Sequence, residues 1–298
     1  MYMRRSYTFF NLICLGIMAG FAFACAWVWR GSFLHAKTAE IIPAISFEEA
    51  QQNARETAPE ARTDNEMSQN DPPERAEEQP EEKKPGSVAQ AAVRETQPDQ
   101  SSQNNPPRVI PARINLAVPF TSQAPERNWS QPWQDACEEA AVLMLDAYYK
   151  KYKLSPLFAK DEIIKMVAWE EEEQSWGRSI NIEKVKLLLA MYAKLTDREV
   201  TIIEDPTVEQ IKGYIAGGTP VLAVADGKAL PNPHFRNGGP VYHALIIRGY
   251  TETEFITNDP GTQFGENFRY TYDELMNAIR DWNGGDVKNG RRTVLVIE

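Results

Sequence analysis

Hydrophobic and polar residues divide the 298 positions of this chain into three parts. Residues 7–29 form one uncharged apolar run, rich in Phe, Ala, Ile and Trp. Residues 30–109 are mostly polar, and from about Phe47 onward no apolar period lasts. Short periodic segments return from about Ile110, and residues 110–298 are enough for one domain with a sizeable core. The pattern predicts an apolar segment, a spacer and a single globular domain.

The apolar run is long enough to cross the hydrocarbon core of a bilayer as one helix. Arg4 and Arg5 precede it, which by the positive-inside tendency places residues 1–6 in the cytoplasm. A cleaved signal peptide is the competing interpretation, because Ala22-Phe23-Ala24 offers a small-residue cleavage pattern. We expect an uncleaved, single-pass signal anchor in the cell membrane, because the apolar run continues beyond that point. The soluble domain would then lie on the extracytoplasmic side.

The spacer, residues 30–109, differs sharply in composition from the parts on either side. It is dense in Glu, Gln, Pro, Ala and Asn, and beyond Phe47 it has almost no aromatic residues. Such a stretch cannot bury enough apolar surface to offset the entropy lost on ordering it. We expect a disordered linker, partly extended by its prolines.

Periodicity and capping signals predict the elements of the globular part, residues 110–298. The predicted helices begin at the single cysteine, cover 161–173, run from near Asn181 through Tyr192, extend from a Thr207/Gln210 capping box to Gly217-Gly218, and follow a Thr271/Glu274 capping box. The predicted strands are Leu116–Phe120, Val221–Ala225, Tyr242–Tyr250, Glu254–Asn258 and Thr293–Ile297. Helices come mainly first and strands mainly later, which favours an α+β architecture over alternating βαβ units.

Composition narrows the chemistry that this domain can perform. The net charge of −10 argues against nucleic acid as a partner. Residues 110–298 contain one cysteine, Cys137, and two histidines, His234 and His243. One cysteine excludes a disulfide framework within the domain, and these three residues lack the short spacing of a zinc site. We expect no metal and no cofactor, so the candidate chemistry lies in the side chains themselves.

Cys137 opens an amphipathic helix. Asp135 is a good N-cap and Glu138 completes a capping-box pattern, so the cysteine would be the second residue of the helix. Unpaired N–H groups and the helix dipole favour negative charge there, and a thiol that ionises more readily is a better nucleophile. A buried, inert cysteine is the alternative.

His243 is the better candidate for a base, because it lies early in a predicted strand whereas His234 lies in a Pro/Gly-rich loop. If the strands at 242–250 and 254–258 pair as a hairpin, Asn258 or Asp259 comes near His243 and could fix its tautomer. Two glutamines could stabilise an oxyanion beside the backbone N–H of the cysteine. They are Gln123, after the first strand, and Gln134, just before the cysteine.

Four features together resemble papain-like cysteine peptidase family 39, which includes the peptidases that remove double-glycine leaders from bacteriocins. They are VPFTSQ, a cysteine that opens a helix, YHALIIRGY and NDPG. The resemblance implies a papain-like fold with Cys137 as nucleophile, His243 as base and Asp259 as orienting residue. It also assigns the oxyanion role to Gln123 ahead of Gln134. The chain departs from the family in having Glu138 after the cysteine, where glycine is common, and a carboxylate there opposes thiolate formation.

The sequence thus predicts a membrane-anchored thiol hydrolase that cleaves a peptide or amide bond of a peptide or protein substrate through a thioester. Two alternatives stay open. One is a catalytically inactive binding module with the same fold and an inert cysteine. The other is transfer of the acyl group to an amine in place of water. The loop Asp226–Gly239 is predicted to act as a lid.

Overall fold

A computed structural model describes residues 42–56 and 110–298. Its helices are α1 (Phe47–Glu56), α2 (Cys137–Lys150), α3 (Pro156–Ala168), α4 (Ile182–Ala193), α5 (Val208–Ala216) and α6 (Tyr272–Ala278). Its strands are β1 (Ile114–Asn115), β2 (Val200–Glu204), β3 (Val221–Ala225), β4 (His243–Tyr250), β5 (Glu254–Asn258), β6 (Phe268–Thr271) and β7 (Thr293–Ile297). The predicted membrane segment and most of the predicted linker lie outside the described residues. Within those two ranges, the structure contains no helix of the length and apolarity that crossing a membrane requires.

The strands form one antiparallel sheet in the order β2-β7-β3-β4-β5-β6, and β1 pairs with β4 off that path. Every residue of β4 is buried, because the strand is flanked by β3 and β5 and covered by α2. The predicted α+β class, with helices against an antiparallel sheet, is therefore confirmed. The first residue of β4 is His243, which pairs with Ala225, the last residue of β3.

Local signals fixed several elements where the sequence predicted them. Asn181 caps α4 by accepting a hydrogen bond from the Lys184 backbone N–H. The capping boxes predicted at Thr207 and Thr271 are both present. The bounds predicted for β3, β5 and β7 are also confirmed.

Other boundaries were wrong. The strand predicted at Leu116–Phe120 does not form. The strand in this part of the chain, β1, covers only Ile114–Asn115. The carbonyls of Val118 and Pro119 accept hydrogen bonds from the Asn258 side chain, so a side chain takes the place of a strand partner. The helix predicted over 161–173 is also misplaced. It begins at Pro156, after a Ser155 cap, and continues beyond Ala168 as the π-helical turn Trp169–Glu173.

Residues 42–56 lie within the segment 30–109 that was predicted to be a disordered linker, and the structure describes a bridge and a helix in them. Ile45 forms a parallel bridge with Leu116 through hydrogen bonds to Asn115 and Ala117. In α1, the Ala50 side chain is fully buried against the core. This docking depends on partners more than 60 positions away, so the local composition did not reveal it.

We expect Ala50→Glu to lower the free energy of unfolding by about 1–3 kcal/mol, the usual cost of burying an unpaired polar group. Gln52→Glu places the same side chain on an exposed position of the same helix and serves as the matched control. Urea unfolding of both variants measures the difference. Equal stability of the two variants would show that α1 contributes nothing to the fold.

Candidate active site

Cys137 is the first residue of α2, directly after the 3-10 turn Trp133–Asp135. The N-cap is Ala136, which has no side chain that can cap, and Asp135 lies within the preceding turn. The prediction that Asp135 caps the helix was therefore wrong, and so was the capping box. The side chain expected to complete that box, Glu138, instead reaches the cysteine.

The Cys137 thiol donates a hydrogen bond to Glu138 Oε2 at 2.9 Å. The other oxygen of that carboxylate, Oε1, accepts a hydrogen bond from the backbone N–H of Ile180 at 3.1 Å. The sulfur also accepts a hydrogen bond from the backbone N–H of Ala244, the second residue of β4. Cys137 and Glu138 are both buried, so this arrangement is shielded from solvent.

These surroundings oppose ionisation of the thiol. Burial raises the pKa of Cys137 well above its ordinary value, and the negative charges of Glu138 and Glu139 raise it further. The Ala244 N–H lowers the pKa without reversing that effect. Burial and the adjacent carboxyls therefore act against the ready ionisation that was expected of a thiol at a helix N-terminus.

His243 and Asp259 are in direct contact. His243 Nε2 lies 2.7 Å from Asp259 Oδ1, and both side chains are fully buried. The same carboxylate accepts hydrogen bonds from the Gly261 backbone N–H, the Tyr270 hydroxyl and the Asn232 amide. Four donors thus hold the carboxylate in one orientation against the imidazole.

Those donors also decide the charge of the carboxyl. Burial alone would raise the pKa of Asp259, but His243, Tyr270 and the Gly261 N–H hold it below its ordinary value. Sequence reasoning missed both Tyr270 and Asn232. Tyr270 lies in β6, which carried no clear strand signal, and it becomes a partner only because β6 pairs with β5. Asn232 sits between two prolines, Pro231 and Pro233, which is the one local hint of a fixed loop.

With Asp259 ionised, His243 Nε2 donates its hydrogen to the carboxylate, and in the neutral imidazole Nδ1 then carries the lone pair. Across residues 42–56 and 110–298, this buried Nδ1 has no hydrogen-bond partner. A glycine beside the ring gives the imidazole its space, because a Cβ on Gly261 would lie 2.8 Å from His243 Cε1. The imidazole is therefore held in one orientation through Nε2, and its Nδ1 accepts no hydrogen bond within the described residues.

The other two candidates for these roles lie elsewhere. Asn258 uses its amide to hold the segment before the cysteine loop and its oxygen to accept from Arg248. His234 is exposed, with its ring 4.9 Å from that of Phe264. Between Asn258 and Asp259, the geometry thus places Asp259 at the histidine.

Gln123 lies beside the turn that precedes the cysteine. Its amide donates to the carbonyls of Trp133 and Gln134 at 3.0 and 2.8 Å. Its Oε1 is buried without a hydrogen-bond partner within the described part of the chain. In this conformation the amide supports the turn, so it must rotate before it can donate to an oxyanion. Gln134 has an exposed side chain.

A cavity of about 400 Å³ borders this group of residues. Its wall includes both candidate glutamines, the Gly261 backbone and residues of the predicted lid. The residues that line it are Gln123, Trp129, Gln134, Asp135, Ser179, Lys228, Phe235, Arg236, Asn237, Gly239, Pro240, Val241, Tyr242, Gly261 and Trp282. In the ranges that the structure describes, no three His, Cys, Asp or Glu side chains converge as metal ligands.

Comparison with known proteins gives one family. A family model described as "Peptidase_C39 like family" matches residues 115–285, more than half of the chain. The chain is also similar to a crystal structure of a Bacillus anthracis protein that has been provisionally assigned as a C39-like peptidase. That match has a TM-score of 0.42 and 14% sequence identity, and covers 62% of this chain and 97% of the other. No curated protein shows significant similarity to the chain.

Proposed function

The chain belongs to the Peptidase_C39 like family, and on that premise we propose that it is a cysteine peptidase in which Cys137, His243 and Asp259 form the catalytic triad. The resemblance in the sequence is confirmed at the level of the family. The observation that carries the triad is the oriented imidazole with an unoccupied Nδ1. The next residue, Ala244, donates its N–H to the cysteine sulfur. The thiol of α2 therefore lies beside the end of β4 that carries the base.

The reaction would begin with transfer of the thiol proton from Cys137 to His243 Nδ1. The sulfur then attacks the carbonyl carbon of the scissile bond and pushes the electron pair onto the carbonyl oxygen. The backbone N–H of Cys137 is one of the unpaired donors of the first helical turn and would stabilise that oxyanion. The Gln123 amide would be the second donor once it leaves the Trp133 and Gln134 carbonyls.

Collapse of the tetrahedral intermediate would expel the amine, which takes its proton from the protonated His243. Water, activated by the same imidazole, would then attack the thioester and release the acid. Asp259 would hold the ring and stabilise its charge throughout, as in other triads. Because Asp259 is held by four donors, this orientation needs no rearrangement during the cycle.

The substrate would be a peptide or protein seated in the cavity beside Gln123. Phe235 and Arg236 belong to the loop predicted to act as a lid, and both line this cavity. The apolar run at residues 7–29 would tether the domain to the cell membrane, with the peptidase on the extracytoplasmic side. The substrates would then be extracytoplasmic as well.

A second candidate function is a binding module that retains the fold without catalysis. The observation in its favour is the hydrogen bond that engages the thiol with Glu138 while His243 Nδ1 is unoccupied. Burial and the two glutamates keep the thiol protonated in this state. Such a module would bind the same peptides in the cavity without cutting them.

The test is peptide cleavage by full-length protein in a Cys14→Ser, Cys25→Ser background, where Cys137 is the one remaining cysteine. A mixture of synthetic peptides is incubated with the protein, and mass spectrometry identifies new termini. We expect fragments that disappear after alkylation with iodoacetamide and in a Cys137→Ala variant.

Fragments that persist in the Cys137→Ala variant would rule out this cysteine as the nucleophile. Peptides that bind the protein but remain intact at every pH tested would favour the binding module.

A further inference from the structure

The buried Cys137 thiol has two acceptors at its site, and only one is in use. Glu138 Oε2 accepts the thiol hydrogen at 2.9 Å. His243 Nδ1, the acceptor that a peptidase needs, has no hydrogen-bond partner among the residues that the structure describes. The proposed nucleophile therefore donates its hydrogen to a carboxylate on its own helix, while Nδ1 of the proposed base accepts no hydrogen bond within the described residues.

Glu138 is fixed at both ends of its carboxylate. Its Oε1 accepts the Ile180 backbone N–H at 3.1 Å, and its side chain is 1% exposed. Ile180 lies in the segment between the π-helical turn and α4, and its neighbour Ser179 lines the cavity. The carboxylate thus bridges the wall of the cavity to the thiol.

We propose that Glu138 is a positioning residue that holds the Cys137 thiol away from His243 in the free protein, so that the thiol reaches its base only when this bridge opens. The inference rests on the proposed function, because it concerns the same nucleophile and base. A peptide seated against Ser179 adjoins Ile180, one of the two anchors of the bridge. Binding of the substrate would thereby disturb this anchor and release the thiol from Glu138.

The charges around Glu138 support a bridge that opens readily. On its own helix it faces Cys137 and Glu139, and the π-helical turn adds Glu170 and β4 adds His243. Burial raises the pKa of Glu138 to about 7, although the bonds from the thiol and from the Ile180 N–H lower it. Tyr242, which is buried nearby, donates its hydroxyl to Asp281. Because burial raises its pKa, this carboxyl is less stable as an anion than an exposed glutamate would be.

The test compares the rate of Cys137 alkylation by iodoacetamide between pH 5 and 9 in the full-length Cys14→Ser, Cys25→Ser background. Glu138→Asp keeps the charge but withdraws the carboxylate by one methylene, so it cannot span both Ile180 and the thiol. We expect this variant to react about tenfold faster at pH 7, because a thiol pKa lowered by about one unit leaves about ten times more thiolate at that pH. Glu139→Asp is the matched control, because it makes the same change at the next residue, which does not bond to the thiol.

The role of His243 is isolated by adding His243→Ala to Glu138→Asp. We expect the double variant to lose the gain, because the released thiol then has no base. No gain in Glu138→Asp, or an equal gain with and without His243, would overturn the proposal. If Glu138→Asp fails to fold, Glu138→Gln is measured in the same way, and its gain must also depend on His243.

Failure of the proposed role of Glu138 can be distinguished from failure of the proposed peptidase function. Peptide cleavage by the unsubstituted protein, combined with an unaltered alkylation rate in Glu138→Asp, would leave the peptidase in place and remove the bridge. Cleavage that is absent in the unsubstituted protein but present in Glu138→Asp would support the bridge as an inhibitory contact. A His243-dependent gain without cleavage by any form would refute the peptidase and leave the thiol–imidazole pair.

Discussion

Replacement of His243 by alanine is expected to lower kcat/KM for any cleaved peptide by about 10²- to 10⁴-fold, the usual contribution of a catalytic base and acid. His243 is fully buried, and its Nδ1 has no hydrogen-bond partner within the described residues, so it can accept the thiol proton. Without it, the proton must leave a thiol whose pKa is raised by burial and by Glu138. The measurement is the initial rate of cleavage at saturating and at low peptide concentration.

His234→Ala is the matched control, because His234 is the other histidine of residues 110–298 and is exposed in a loop. We expect it to keep most of the rate. Equal losses in the two variants would indicate a general effect of removing an imidazole. A His243→Ala variant with the full rate would exclude His243 as the base, provided that thermal unfolding shows both variants to be folded.

Replacement of Asp259 by asparagine is expected to lower kcat/KM by about 10²- to 10⁴-fold through loss of the correct tautomer. Asp259 accepts from His243 Nε2 with one oxygen and from Tyr270 and Asn232 with the other. An asparagine has one acceptor and one donor end. If the donor end faces His243, the proton moves to Nδ1 and the base is lost; if it faces Tyr270, two buried donors lose their acceptor.

Tyr270→Phe separates orientation from charge, because it removes one donor and keeps the carboxylate. We expect a smaller loss of rate than in Asp259→Asn, and a higher pKa for Asp259, since the Tyr270 hydroxyl is among the groups that lower it. An equal loss in the two variants would mean that the hydroxyl, and not the carboxylate charge, carries the effect.

The Asp259→Asn variant also has a signature in acid. The folded pKa of Asp259 lies below its ordinary value, so ionisation stabilises the folded state above the unfolded pKa, near pH 4. That contribution is lost as the pH falls through the lower, folded pKa. The difference in unfolding free energy between the unsubstituted protein and Asp259→Asn should therefore narrow below about pH 4, as urea unfolding can measure. A constant difference would show that the carboxylate is not ionised in the folded protein.

The glutamate after the cysteine changes how the site is understood. From the sequence, Glu138 was a helix cap and a departure from the family pattern. In the structure it is buried, bound to the thiol, and tied to Ile180. An acid in this position would let the proposed peptidase hold a protonated thiol in its free state and still retain an oriented base.

The sequence by itself determined the elements whose signals are local. Capping boxes at Thr207 and Thr271 satisfy helix N–H groups within a few residues, and alternating or continuous apolar positions mark β3, β5 and β7. The runs VPFTSQ, YHALIIRGY and NDPG, together with a cysteine that opens a helix, also led to the family, because each of them is a short local pattern.

Only the tertiary structure decided the partners of those residues. Tyr270 and Asn232 reach Asp259 across 11 and 27 positions, and Glu138 reaches Ile180 across 42. Which of two neighbouring residues faces the histidine, Asn258 or Asp259, depends on where β5 ends and its turn begins. Side-chain direction, burial and the resulting pKa values arise from packing between distant segments, and no local pattern contains that information.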